Sequence, residues 1–309
     1  MKKWVLIAAL LILAALDLLA GDGFGWEGGI ILWKLRMPRM LAAVTAGAAM
    51  AVCGAQMQAL FRNPLADPHI MGISGGAGLG AAVAALSVGG ASAFVGSFSL
   101  VGAAFVGAVL SSLVIMAAAS RIKSTGTLLI VGVMLGFALS AVSSVLQYTA
   151  GEESLKLFYS WMAGSFSGIT YGSLAIMAVA LAIAFIIAII NAKALDLVLF
   201  GDEYASFSGV SLDSLRLLTM AGCCLSTGAV TAFCGPIGFV GIAAPHIVRR
   251  VLGTSSNRFV LPWSAVTGAS LALFADILAH IGPTPLPVGS TLAIAGIPVI
   301  VYILWRNRL

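Results

Sequence analysis

Charge is what this chain has least of. Asp, Glu, Lys and Arg make up 9% of its 309 residues, against about 25% in an ordinary soluble domain, so the polar shell of a soluble fold is excluded. Histidine is scarce, with 3 residues, and none lies in a His-Glu-x-x-His zinc pattern. No lysine follows a glycine, which excludes the phosphate-cradling loop that ends in Gly-Lys-Ser/Thr; the chain does not hydrolyse ATP by that route. No regular series of Asp, Glu and Lys runs through the apolar segments, as a proton- or ion-coupled pump would need. The 4 cysteines, Cys53, Cys223, Cys224 and Cys234, sit in apolar runs without metal-ligand spacing, and are expected to be small packing residues.

What is present is apolar: 61% hydrophobic residues and a mean hydropathy of +1.09. With water absent from the bilayer core, backbone groups must be satisfied within helices, and each crossing takes about 20 apolar residues. The composition therefore predicts an all-α polytopic membrane protein. Apolar runs fall near 4–20, 40–61, 69–88, 93–120, 128–150, 171–190, 217–248, 260–281 and 288–305. The run at 93–120 has a Gly/Ser-rich start, so its crossing is expected to begin near Leu100. The opening Lys2-Lys3 and apolar Trp4–Leu16 resemble a signal peptide, but Leu18-Leu19-Ala20 is a poor cleavage site; a retained first helix is expected.

Lys2, Lys3, Arg62, Arg121, Lys123, Lys193, Arg249, Arg250, Arg258, Arg306 and Arg308 all fall on one side if the N-terminus is cytoplasmic, as the positive-inside rule asks. The net charge of +5 thus reads as topology rather than nucleic-acid binding. The run Leu217–Val248 has cations at both ends and is too long for one crossing. "CGPIGFVG" (234–241) breaks it and Pro245 is expected to interrupt its second half, giving a full helix, a tight turn and a short return over 237–248. The sum is about ten membrane segments in a single domain over 1–309, with both termini cytoplasmic. Lys34, Arg36, Arg39 and Lys156 are left outside, three of them in "WKLRMPR" (33–39), against the usual bias.

Between the second and third runs, "RNPLADPHIMGISGGAGLG" (62–80) interrupts the apolar pattern. Asn63-Pro64 stops a helix, Asp67-Pro68 holds the turn, and Gly72, Gly76 and Gly80 recur every four residues as a stripe for close helix packing. The stretch 191–216 is the one sizeable polar segment on the cytoplasmic side. It mixes Phe200, Phe207 and Val210 with Asp196, Asp202, Glu203 and Asp213, and Gly201 and Gly209 bracket enough chain for about two helical turns. Its apolar content argues for burial against a soluble partner. His246 reads as a hydrogen-bonded interfacial side chain. Asp276 and His280 are four apart, on one helix face, near the outer end.

These residues carry a resemblance. "RMPRMLAAVTAGAAMAVCGAQMQALFRNPLADPHIMGISGGAGLGA" (36–81) resembles the signature of the FecCD family, the permeases of type II ABC importers. "WMAGSFSG" (161–168), "FCGPIGFVGIAAPHIVRRVLG" (233–253), "LPWSAVTGASLALFAD" (261–276) and "LPVGSTLAIAGIPVIVYIL" (286–304) match further blocks in order. The resemblance implies a multi-pass permease of the bacterial inner membrane with no catalytic, cofactor or metal site of its own. Two ATP-binding cassette subunits would use the ATP, and a periplasmic or lipid-anchored binding protein would deliver the ligand to a homodimer or paired permease in the lipid bilayer. The implied cargo is a ferric siderophore or haem, with cobalamin as the alternative; an ion-coupled transporter and a membrane enzyme are the competing classes. By resemblance, 201–214 docks on the ATPase, through Gly201, Asp202, Glu203, Phe207, Gly209 and Val210. Asn63, Pro64 and Leu65, with Ser124 and Thr125, match positions near the cytoplasmic gate. Arg36 and Arg39 match basic residues that receive the binding protein's acids, and His280 stands where the family often has an Arg.

Overall fold

The computed structural model describes residues 2–19, 29–86, 97–282 and 284–306, which are helical with no strand. The helices are α1 (Lys2–Leu19), α2 (Gly29–Leu60), α3 (Ser74–Leu86) behind a wide π-turn at His69–Ile73, α4 (Ser97–Ala119), α5 (Thr125–Tyr148) and α6 (Glu152–Met162). Then follow α7 (Tyr171–Val198), α8 (Asp202–Phe207), α9 (Leu212–Cys234), α10 (Val240–Leu252), α11 (Asn257–Ala279) and α12 (Val288–Arg306). Six of these, α2, α4, α5, α7, α9 and α11, are long and apolar enough to cross a bilayer. With the shorter α1, α3, α10 and α12 they make up the expected set of about ten.

The centre of the fold is α2, which packs on α11, α7, α10 and α9. Its core stretch, "AAVTAGAAMAVCGAQ" (42–56), carries few bulky side chains, so neighbouring backbones come close. A Cβ on Gly47 would collide with the Gly268 carbonyl of α11, and one on Gly54 with the backbone of Gly241 in α10. In lipid such contacts replace the hydrophobic drive that is missing between helices. By contrast, α5 and α7 bury only 17% and 22% of their apolar windows within the subunit, so most of their surface is left for lipid or another chain.

Several local expectations are corrected. The "WKLRMPR" segment, ahead of the apolar run expected at 40–61, forms the first turns of α2. Pro38 has no N–H for the Lys34 carbonyl and crowds it; the chain relaxes into a π-turn over Leu32–Arg36, closed by the Met37 N–H on Leu32 O. Pro245 does not interrupt its segment, since α10 runs through it. The carbonyl that Pro245 leaves free, that of Gly241, accepts from Gln58 Nε2 of α2 at 3.1 Å. Gly76 and Gly80 do pack against α4, at Gly107 and Ala103, but Gly72 stands off that stripe at φ +80° in the π-turn, facing Gly132 and Gly136 of α5. Helix α7 runs on to Val198, which shortens the expected polar stretch, and the amphipathic α6 went unforeseen between two crossings. Part of the 93–120 run lies outside the described residues.

Candidate functional site

At the end taken as cytoplasmic, α2 stops at Leu60 and the chain turns sharply, with Arg62 at φ 48°. The Asn63 side chain accepts from Leu65 N–H at 2.9 Å, which fixes the turn and leaves Leu65 exposed. His246 Nε2 of α10 lies 2.9 Å from the Pro64 carbonyl. Arg249 Nη1 donates to Gln58 Oε1 at 2.6 Å, so one glutamine joins α2 to both the broken and the intact turns of α10. Ser124 caps α5 by accepting from Thr127 N–H at 3.3 Å, and Thr125 is buried behind it. No hydrogen bond joins Ser124 or Thr125 to the 63–65 turn among the described residues.

Gly201 and Gly209 bracket α8 as expected, both with positive φ. Asp202, on the first turn of α8, takes Arg216 of α9 at 2.8 Å and Arg62 of the α2 turn at 3.3 Å, so one carboxylate ties three elements. Ala205 is buried beneath the helix, while Glu203 and Phe207 point to solvent and Phe207 is 91% exposed. Val210 behaves differently: it packs against the core beneath α8. The sequence reading missed that Phe200 and Tyr204, with ring centroids 5.7 Å apart, extend the exposed aromatic surface beside Phe207. It also missed the role of Asp196, whose carboxylate accepts from Ser256 Oγ, Asn257 N and Asn257 Nδ2 at 2.7–2.9 Å. Asp196 thereby caps the start of α11 from the last turns of α7. The signal was visible as an acid near a helix start, but not which helix it would serve.

The opposite end holds a buried charge cluster. Arg39 Nε lies 3.0 Å from Asp276 Oδ2, and Arg39 Nη2 donates to the Asp17 carbonyl at 3.1 Å, with the Asp17 carboxylate 3.9 Å away. Arg36 Nη1 donates to the Leu18 carbonyl at 3.1 Å, and His280 Nδ1 is 2.8 Å from Asp276 O. Asp17 and Asp276 are wholly buried, and Arg36 and Arg39 nearly so. Arg36 and Arg39 of α2 thus reach α1 and α11, while His280 contacts Asp276 one turn earlier along the same chain segment. Lys34 and Lys156 are exposed instead. Asp17 was not singled out in the sequence because it sits alone in an apolar run.

Two cavities share part of their lining. One of about 250 Å³ is lined by His69, Ser74, Phe137 and Ser140 of α5, Met162 and Pro236. The other, of about 240 Å³, is lined by Asp67, His69, Pro236, Phe239 and Ile242. His69 and Pro236 belong to both. The Asp67 carboxyl accepts from His69 N–H at 2.7 Å through Oδ1, while Oδ2 is buried without a hydrogen-bond partner among the described residues. Burial pushes the Asp67 carboxyl up to about 6, against the smaller opposing effect of the His69 N–H. No metal-binding cluster of three or more His, Cys, Asp or Glu occurs among the described residues.

The family model described as the FecCD transport family matches residues 5–306. The vitamin B12 import system permease protein BtuC of Escherichia coli O6:H1 is 35% identical, over 98% of this chain and 95% of that protein. Its counterpart from Klebsiella pneumoniae subsp. pneumoniae is 35% identical over 99% and 95%. Among solved structures, an inward-facing conformation of a metal-chelate type ABC transporter superposes with a TM-score of 0.88 at 25% identity, over 98% of each chain. PsaBC from Streptococcus pneumoniae shares the fold, with a TM-score of 0.53 at 15% identity over 86% and 90%.

Proposed function

We propose a function from one premise: the chain belongs to the FecCD transport family, whose model matches residues 5–306. It is a permease subunit of an ABC importer, a multi-pass protein of the bacterial inner membrane. Its chemistry is passive. It provides a gated pathway, and two partner ATPase subunits supply the energy. The observation that carries this reading is α8. An exposed aromatic surface of Phe200, Tyr204 and Phe207 sits on a short helix that Asp202 fixes to α2 and α9. A large exposed apolar group on an otherwise polar face marks a partner surface, and a fixed mount lets a push there reach the membrane helices.

The gate is assigned to the 63–65 turn, which the His246 and Gln58–Arg249 contacts tie to α10, with Ser124 and Thr125 at the start of α5. An outer binding protein would have to compete with Asp17 and Asp276 for Arg39, so we assign the Arg36, Arg39 and His280 group to holding α1, α2 and α11 together. Exposed Lys34 and Lys156 are then the cations left for acidic docking residues. The cargo is a metal chelate. Ferric siderophore and haem fit the family's habit, and the vitamin B12 permeases among the relatives support cobalamin as the second reading.

The test is Phe207→Asp in nanodiscs with the ABC ATPase and binding protein that serve this permease. The variant should insert and pair normally yet lose stimulated ATP hydrolysis. Full stimulation would remove α8 from the coupling role.

A further inference from the structure

A further cavity shares no lining with the two described above. It lies between α4 and α9, two helices long enough to span the bilayer, and measures about 160 Å³. Its floor is made of small side chains: Ser112 on α4, with Ala221, Cys224 and Gly228 on α9, spaced three and four apart along one helix face. Beneath it the helices touch, since a Cβ on Gly228 would lie 3.4 Å from Ala108 Cβ. Its walls are Val109 and Leu113 of α4 and Leu225 of α9, all exposed, so the groove opens outward to the bilayer. The lining carries no charge, and its one hydroxyl is already bonded: Ser112 Oγ donates to Ala108 O at 2.6 Å. Such a groove has nothing to hold water and fits hydrocarbon.

The groove also leads to cations. At the end taken as cytoplasmic, α4 stops at Ala119, and the chain that follows carries Arg121 and Lys123, both exposed. Met116, the last groove residue of α4, is five residues before Arg121, roughly 8 Å along a helix axis. Helix α9 runs antiparallel and begins at that end, where its first turn carries the exposed Asp213. Two cations against one acid leave one positive charge in excess. Lys and Arg occur all along this side; a groove running up to them sets this pair apart.

We propose that the α4–α9 groove holds one anionic phospholipid of the inner leaflet, with an acyl chain sunk between the helices and the phosphate over Arg121 and Lys123. An apolar cavity of about 150 Å³ stays dry and takes a benzene ring, so this groove takes up about six carbons of a chain while the rest stays in the bilayer. Ordinary boundary lipid meets one helix side-on. Here the chain is touched by two helices and by the floor between them, which adds dispersion contacts. The headgroup end adds selection by charge, because cations near a membrane surface favour anionic lipid. The inference needs only that α4 and α9 span the bilayer, whatever the cargo.

The experiment uses the full chain in phosphatidylcholine nanodiscs doped with a phosphatidylglycerol whose acyl chain carries a photoactivatable diazirine. Loosely held lipid is removed by exchange into detergent before illumination, and adducts are mapped by digestion and mass spectrometry. They should concentrate on 105–116 and 221–228, with few on α7, whose Ile176, Val179 and Ile183 are also exposed. Unlabelled phosphatidylglycerol should compete about fivefold better than phosphatidylcholine, the effect of one uncompensated cation at a membrane surface. That margin should shrink as salt rises. Arg121→Gln with Lys123→Gln changes only exposed side chains beyond α4; it should erase the margin and leave the adduct positions unchanged. Ala221→Phe, which fills the floor, should remove the adducts from both segments; should it fail to fold, the adduct map and the paired glutamine variant still decide. Adducts spread evenly over the lipid-facing helices, equal competition by the two lipids, or a margin that survives the paired glutamine substitutions overturns the proposal. So does the absence of adducts from both segments, the result expected if a second copy of the chain covers the groove.

Discussion

Replacing Asp202 by Asn should release α8 from its mount, and the structure sets the scale. Arg216 Nη2 lies 2.8 Å from Asp202 Oδ2 with its side chain only 6% exposed, whereas the Arg62 contact is 3.3 Å with 39% exposure. A hydrogen bond between charged groups contributes roughly 1.5–3 kcal/mol when one side is sheltered. The Arg62 pair is screened by solvent and adds at most a few tenths, about 0.3 kcal/mol. The loss should be about 2 kcal/mol, which at 1.4 kcal/mol per decade is about thirtyfold in the local opening equilibrium. Amide exchange reads this directly, because Ala205 N–H and Ser208 N–H are held by Gly201 O and Tyr204 O within α8. Their exchange should accelerate about thirtyfold while α9 amides keep their protection. Arg216→Gln should reproduce most of the change, and Arg62→Gln little of it. If Arg62→Gln opens α8 more than Arg216→Gln does, or if neither Asp202→Asn nor Arg216→Gln moves the exchange rate, the mount is not where the structure puts it.

Three further outcomes follow from other parts of the molecule. Arg39→Met leaves two buried carboxylates, Asp17 and Asp276, facing each other without their guanidinium; the cost should be about 3–5 kcal/mol, seen as a large fall in melting temperature in detergent. Gly54→Val forces a side chain into the backbone of Gly241, and should cost at least ~1–3 kcal/mol by overpacking; the same substitution at exposed Gly151, whose Cβ would meet nothing within 4 Å, should be nearly silent in the same melt. Asp67 binds its proton more tightly folded than unfolded, with a carboxyl raised from 3.8 to about 6, so its contribution to stability is complete below pH 3.8 and is lost as pH rises through about 6. A rise of that size corresponds to about 3 kcal/mol; Asp67→Asn, which keeps an acceptor for the His69 N–H, should flatten stability against pH across that window and raise it at neutral pH.

The fold was legible in the sequence because lipid permits so few solutions. Apolar run lengths were enough to count segments, and Gly201 and Gly209 announced α8 through the positive φ that each adopts. Helix exceptions were less legible. Pro245 looks like a break, yet α10 continues because Gln58, far away in sequence, takes the carbonyl that proline leaves free. Pro38 likewise bends α2 into a π-turn instead of ending it. Site residues were hardest where their role lies in partners. Arg36 and Arg39 stand out by breaking the charge bias, and the carboxylates beside Arg39 come from α1 and α11. No spacing rule connects residues 17, 39 and 276.

The central claim is that this chain is a pathway worked from outside by ATPases, and uptake measured in sealed vesicles tests it most directly. The permease is reconstituted with its ABC ATPase and loaded binding protein, and entry of the metal chelate is followed with ATP on the ATPase side, with a non-hydrolysable analogue, and with imposed proton and sodium gradients. The account predicts entry only with hydrolysable ATP, abolished by Phe207→Asp and indifferent to either gradient. Entry driven by an ion gradient in vesicles that contain this chain alone would contradict it.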